Sequence, residues 1–467
     1  MHRRDFIGLT GAAAFSTLLP RSIAAETKPD FVLRPAESMA NLMGADRPAT
    51  PVWAYNGQCP GPLLRITRNR PVHIRLENAL GEPTSVHWHG IRLDNAMDGV
   101  TGLTQAPVAP GQSFDYRFTS PDAGTYWYHS HHRSWEQIGR GLYGPLIVEE
   151  DTPVAVDHDL VFLADDWRLD EKGVLENTFG SLHDAAHGGR TGNWLTVNGD
   201  TRPPLKVRPG ARVRLRCISA ANARIMAFSF PGLSPMVAAV DGQPLASPLP
   251  LNEPLELAPA QRADLIIDIP PTSGTQFDIQ EVSTGEPIRA AVMAVDGTPI
   301  REKVLGETLI LPANPLSGIK PDLFHARNME LLMEGGAMGA MNGAIHQGKM
   351  FDMRSLVTET GKVWAFNGIA GMGKEPFVEI PRGQTLSINI INDTRWPHAM
   401  HMHGHHFKVV ERNGQPVSDA PWRDTELVEV NEKVRIAFVA DNPGKWLLHC
   451  HMLEHHMAGM GTWLSVV

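Results

Sequence analysis

A chain of 467 residues with 42% hydrophobic content is long enough for about two to four globular domains and is neither disordered nor fibrous. Its net charge of −9, with Lys and Arg spread along the chain, excludes the basic footprint of a nucleic-acid binder and favours a small-molecule or metal substrate. Three cysteines exclude a disulfide scaffold, and 43 glycines and 37 prolines between short apolar runs point to an all-β protein.

The first element is Arg3-Arg4-Asp5-Phe6-Ile7, followed by an Ala-rich apolar stretch to Pro20 and the small-x-small sequence Ser22-Ile23-Ala24. This reads as a twin-arginine export signal over residues 1–25, which implies the twin-arginine export machinery as a partner and a periplasmic mature protein. The apolar stretch is shorter than the ~20 residues of a spanning helix, and no other segment could span, so no membrane span is expected in the mature chain.

A phrase of aromatic residue, Asn-Gly turn, proline and alternating strand then occurs three times. It runs from Trp53 through Asn56-Gly57 to Leu76, from Trp194 through Asn198-Gly199 to Cys217, and from Trp364 through Asn367-Gly368 to Ile390. Domain-sized spacing rules out a solenoid and predicts three consecutive Greek-key β-sandwich domains, at residues 26–152, 153–315 and 316–467. The boundaries fall near Asp151–Val156 and in the strand-poor stretch Gly297–Pro321. Cys59 and Cys217 could bridge the first and second thirds of the chain or remain two buried thiols.

On a strand, residues i and i+2 share a face, so a His-x-His directs two imidazoles one way. One such pair is weak evidence in a chain with 21 histidines. Four are present: His87/His89 and His129/His131 in the first repeat, His401/His403 and His449/His451 in the third. Eight imidazoles are too many for one metal and suit three coppers between those two domains. The second repeat reads Ile218-Ser219-Ala220-Ala221-Asn222 and Gln276-Phe277-Asp278-Ile279 at the matching places, so the middle domain is expected to be a spacer or wall.

Cys450 lies between His449 and His451, and its sulfur must face away from both. His398, at an odd offset from His401, joins it with His455 and Met460 in a His₂Cys site with a weak axial thioether, the blue-copper electron-transfer pattern. Cys450 is therefore the relay through which electrons would pass to His449 or His451. A copper carrier or copper store would need only this site, and the paired histidines argue against it.

The motifs His87-Trp88-His89-Gly90, His129-Ser130-His131, His398-x-x-His401-x-His403-Gly404 and His449-Cys450-His451-x-x-x-His455-x-x-x-x-Met460 resemble the four signatures of the multicopper oxidases. The resemblance implies cupredoxin-like domains and four copper ions. A type 1 copper would sit on His398, Cys450, His455 and Met460, and a type 2 copper on His87 and His401. The type 3 pair would take His89, His129, His131, His403, His449 and His451. It also implies reduction of dioxygen to water, with Asp98 as a catalytic proton donor near the cluster. The alternative for Asp98 is a turn cap before Gly99. Where bacterial relatives carry a proton-delivering Glu after the type 1 histidine, this chain has His456.

The electron donor is hinted at by Met329, Met333, Met338, Met341, Met350 and Met353 among glycines, which reads as a loop more than a core helix. Thioether sulfur favours Cu(I), and the segment resembles the Met-rich stretches of copper-efflux oxidases. Packing methionines are the alternative. Expected reductants are Cu(I) or a small aromatic such as a phenol or aromatic amine, as with laccases.

Overall fold

Three Asn-Gly turns set the frame. The computed structural model describes residues 28–467, so the export signal read on residues 1–25 lies outside the described residues. In each turn both residues have positive φ (56° and 72°, 53° and 79°, 49° and 72°), as a type I′ hairpin requires. Each Asn side chain then does the same work. Asn56, Asn198 and Asn367 accept a backbone N–H from Arg34, Leu163 and Leu332, and donate to the carbonyls of Val32, Val161 and Glu330.

The first cupredoxin-like domain pairs strands Leu64–Thr67, Tyr143–Glu149, Gly124–His129 and His87–His89 in that order, facing a three-stranded sheet of Phe31–Leu33, Val72–Glu77 and Ser113–Phe118. The middle domain has sheets of six and five strands, and the third has sheets of seven and five. The largest apolar cluster is continuous through the two outer domains, from Leu33 and Trp88 to Trp364 and Met460, whereas the middle domain packs around its own core of Phe162, Leu215 and Ile279. The outer domains thus bury their histidine-bearing strands against one another.

In the third domain the five-stranded sheet runs Val378–Ile380, Gly461–Val466, Gly444–Cys450, His398–Met402, Thr425–Val428. The corresponding order in the middle domain puts Met226–Ser229, not residues 218–222, at the place of His398–Met402. Residues 218 and 219 instead end the long strand Arg212–Ser219 of the other sheet. The substituted strand, Met-Ala-Phe-Ser, also carries no histidine or cysteine.

The Met-rich segment departs from the expected loop. Met329 and Met333 lie on strand Arg327–Gly335, paired in parallel with Thr385–Asn392, and its inward residues Leu331 and Met333 are fully buried. A hairpin of Gly343–His346 and Lys349–Asp352 follows, then a helix Met353–Thr360 started by the Asp352 side chain. Met341 and Met353 pack against the small core of Ala344 and Leu356. Only Met338 and Met350 of the six are largely exposed, at 74% and 69%. Period-2 burial within a sheet, which the glycines obscured, put Met333 in the core and left Met329 half-buried.

Candidate metal centres

Strand register creates the larger site twice over. In the first domain His87 lies directly opposite His129, and in the third His401 lies directly opposite His449. His131, His403 and His451 follow just past the strand ends. Where the two domains meet, the rings interleave. His87 lies 3.9 Å from His403 and His89 stacks at 3.7 Å on His401, centroid to centroid, while the Nε2 atoms of His403 and His449 approach to 3.2 Å and those of His129 and His451 to 3.5 Å.

Six of the eight rings have one nitrogen fixed by a carbonyl or carboxylate of the protein. Nδ1 of His87 and of His401 donates to the carbonyls of Asp98 and Asp424, at 2.8 and 2.9 Å, and Nδ1 of His129 and of His449 donates to the carbonyls of Ser130 and Cys450. The carboxylate of Asp98 accepts from His403 Nδ1 at 3.0 Å, and that of Asp424 accepts from His89 Nε2 at 3.1 Å. The opposite nitrogens of His87, His89 and His401, together with His131 Nε2 and His451 Nδ1, are buried with no hydrogen-bond partner. Burial, and after it the neighbouring imidazoles, holds His129, His131, His403 and His449 well below the ordinary histidine value, so the rings are neutral and free to accept a metal. Orphaned inward nitrogens on rings fixed from behind are the arrangement of metal ligands with their outer shell already in place.

The smaller site lies behind Cys450. His398 Nδ1 and His455 Nδ1 are 3.1 Å apart and lie 3.7 and 3.8 Å from the Cys450 sulfur, all three residues fully buried. Thr394 Oγ1 holds His398 Nε2 at 2.9 Å, and His455 Nε2 donates to the His187 carbonyl at 2.6 Å. Met460 is buried in the same core, and its carbonyl accepts the Cys450 N–H. Burial pushes the Cys450 thiol up to about 12, so a thiolate here needs a cation beside it. Two imidazoles, a thiolate and a nearby thioether suit copper, and Cys450 is bonded on both sides to histidines of the larger site.

Comparison with known proteins agrees with this geometry. Models of the multicopper oxidase family match residues 38–153, 158–293 and 347–467. The chain is 30% identical to multicopper oxidase MmcO of Mycobacterium tuberculosis over 93% of this chain and 86% of that protein. The chain belongs to the multicopper oxidase family. Among other relatives it is 25% identical to copper resistance protein A of Escherichia coli, over 92% of this chain and 91% of that one. The solved structure of Lac15 from a marine microbial metagenome superimposes with a TM-score of 0.75 at 39% identity, covering 94% of this chain and 100% of that one. As a multicopper oxidase it uses four copper ions, of types 1, 2 and 3, to couple oxidation of a reducing substrate to reduction of dioxygen. The reading as a carrier or store gives way to that of an enzyme.

What sequence reasoning missed in this oxidase comes from the middle domain. Arg262, on its strand Arg262–Asp268 and fully buried, donates from both terminal nitrogens to the Asp424 carboxylate at 2.8 and 2.6 Å. Burial works to raise the Asp424 carboxyl, but the Arg262 guanidinium and then His89 outweigh it and hold it well below the carboxylate range. Asp241, also of the middle domain, is pushed up to about 6 by burial and then by the Asp424 charge. The middle domain is thus a strut as well as a wall, since Arg262 anchors Asp424, whose carboxylate orients His89 and whose carbonyl orients His401. Gly90 belongs to the same construction. At φ 85° it lies where a Cβ would meet the Arg262 guanidinium and the Asp424 carboxylate. No local sequence signal could have found Asp424 or Arg262, because their partners are far away in the chain.

Asp98 closes the 3₁₀ turn Asn95–Met97 with its backbone N–H, while its buried carboxylate turns to His403 and to within 3.2 Å of His87 Nδ1. His456 packs 4.3 Å from His449 and 5.8 Å from His131, centroid to centroid, and faces a cavity of about 260 Å³ that Lys362, Met372 and Met457 also line. Burial and then Lys362 push it down to about 4. Cys59 and Cys217 are free thiols, Cys217 fully buried, so no bridge joins them.

Proposed function

We propose that the type 1 copper of this oxidase is held by His398, Cys450, His455 and Met460, the type 2 copper by His87 and His401, and the type 3 pair by His89, His129, His131, His403, His449 and His451. The observation that carries this is the sequence His449-Cys450-His451, whose sulfur and imidazoles face different donor sets. Bound copper supplies a one-electron acceptor on the Cys450 side and the dioxygen-reducing centre among the eight histidines. The protein supplies the rest. Cys450 and its two peptide bonds give a covalent path between the sites, and Asp424 with Arg262 fixes His89 and His401. Asp98 sets its carboxylate beside His403 and His87 as the proton donor for a dioxygen reduction that consumes four protons. Its backbone already closes the turn, which leaves the carboxylate for this role.

The electron donor we infer is Cu(I), with phenols and aromatic amines as secondary reductants. Both type 1 imidazoles are fully buried, and His455 Nε2 is capped by the His187 carbonyl, which leaves no ring edge against which an aromatic could lie. The exposed thioethers of Met338 and Met350 offer soft donors for a small ion. Similarity to a protein named for copper resistance fits the same reading. We take the domains as residues 26–152, 153–315 and 316–467. Export through the twin-arginine machinery to the periplasm rests on residues 1–25, and among the described residues no helix is long and apolar enough to cross a membrane. Dioxygen uptake by the four-copper protein decides the donor. Cu(I) should be consumed with higher kcat/KM than 2,6-dimethoxyphenol, and the reverse order would overturn the assignment.

A further inference from the structure

The hydrogen bond that caps His455 leads outward to an unassigned pair of histidines. His187 directly follows the short helix Leu182–Ala186 of the middle domain, and His183 lies on that helix four residues earlier, on the same face. Their rings stack with centroids 4.3 Å apart and 14° between planes. His187 Nδ1 donates to the His183 carbonyl at 2.8 Å, which fixes that ring and leaves its Nε2 turned away from the backbone. The His183 side chain is 78% exposed.

The helix is anchored on both sides. Asp184 accepts two hydrogen bonds from Arg168, at 2.7 and 3.1 Å, tying it to the middle domain. Trp364 Nε1 donates to the Ala185 carbonyl at 2.6 Å, and the Ala337 N–H donates to the Ala186 carbonyl at 2.7 Å, tying it to the third domain. The second of these bonds places exposed Met338 one residue from the helix end. Two histidines four apart occur on many exposed helices as solvated residues. This pair differs because the backbone of one member is hydrogen-bonded to a type 1 ligand, and because the residue that precedes exposed Met338 is hydrogen-bonded to the end of the same helix.

We propose that His183 and His187, with Met338 as third donor, form the entry site for substrate Cu(I), and that its electron reaches His455 across the His187 carbonyl. The inference rests on the cuprous reading above. Imidazole nitrogen and thioether sulfur suit Cu(I), and rotation of the exposed His183 side chain can bring its ring to an ion held on the free Nε2 of the fixed His187 ring. Each Cu(I) loses one electron and leaves as Cu(II). No bond within the chain breaks and no proton moves at the entry site, and four such events supply one dioxygen reduction.

The test uses the four-copper enzyme and Ag(I), a redox-inert ion of the same charge and softness, with His183→Ala and Met338→Leu as separate variants. Both side chains are exposed, so neither change disturbs the core. Wild type should bind one more Ag(I) per chain than His183→Ala by calorimetry, and the ratio of cuprous to phenol kcat/KM should fall about tenfold in His183→Ala, the scale of losing one metal contact, and less in Met338→Leu. Unchanged Ag(I) stoichiometry, or an unchanged ratio, would overturn the entry site. If wild type itself oxidises no Cu(I), the cuprous reading fails instead, and the two failures are distinct.

Discussion

The two metal regions, joined through one tripeptide, are built from opposite materials. Around the eight histidines backbone carbonyls brace four rings, and charge is added behind two more, with Asp98 on His403 and Asp424, itself clasped by Arg262, on His89. Around Cys450 the bracing is neutral. Thr394 and the His187 carbonyl hold the imidazoles, and Trp364 lies 5.1 and 4.8 Å from their rings. The difference follows the chemistry. Dioxygen reduction takes up protons and changes the local charge, which carboxylates can offset. Electron transfer moves no proton, and a neutral, apolar wall tunes potential without reorganising.

The sharpest break of this contrast is Cys450→Ser. It removes the thiolate on the neutral side, so the blue absorption and turnover should vanish while the type 2 signal in electron paramagnetic resonance persists. Loss of both signals would mean that the regions are not separately built.

Arg262→Ala attacks the charged side from the middle domain. An uncompensated buried Asp424 should cost about 3–5 kcal/mol in denaturant unfolding. The type 2 signal should weaken while the blue band stays, since the Cys450 side depends on none of these charges. An intact type 2 signal would reduce Arg262 to a structural ion pair.

Asp98→Asn keeps a carbonyl oxygen to accept from His403 but cannot hold an acidic proton. Copper content and colour should be preserved and dioxygen turnover should fall about 10²-fold. A fall in copper content would make Asp98 a positioning residue only.

The smallest effect is expected from Met460→Leu, which exchanges a weak axial thioether for an apolar chain of similar volume. The blue band should remain and the reduction potential should rise. A colourless variant with copper still bound would show that Met460 is no axial ligand.

Much of the site was legible because its logic is local. Strand period 2 separates Cys450 from His449 and His451 whatever the rest of the chain does, and the same parity sets His398 apart from His401. The three Asn-Gly turns marked the repeats because a type I′ turn accepts few other residues. The Met-rich segment was misread for the converse reason. Glycines at 335, 336 and 339 suggested a loop, but the fate of Met333 was decided by a partner strand, Thr385–Asn392, that no local window contains.

The sequence by itself determined that eight imidazoles would pair two by two on the outer domains and that one thiolate would face away from them, because covalent geometry enforces both. Only the tertiary structure decided that the middle domain, which carries none of the eight paired histidines and not Cys450, reaches both regions. It sends Arg262 to Asp424 behind the histidines and the His187 carbonyl to His455 behind the cysteine. Those contacts join residues more than a hundred positions apart, and close packing at the domain interfaces, not any pattern along the chain, brings them within hydrogen-bonding distance.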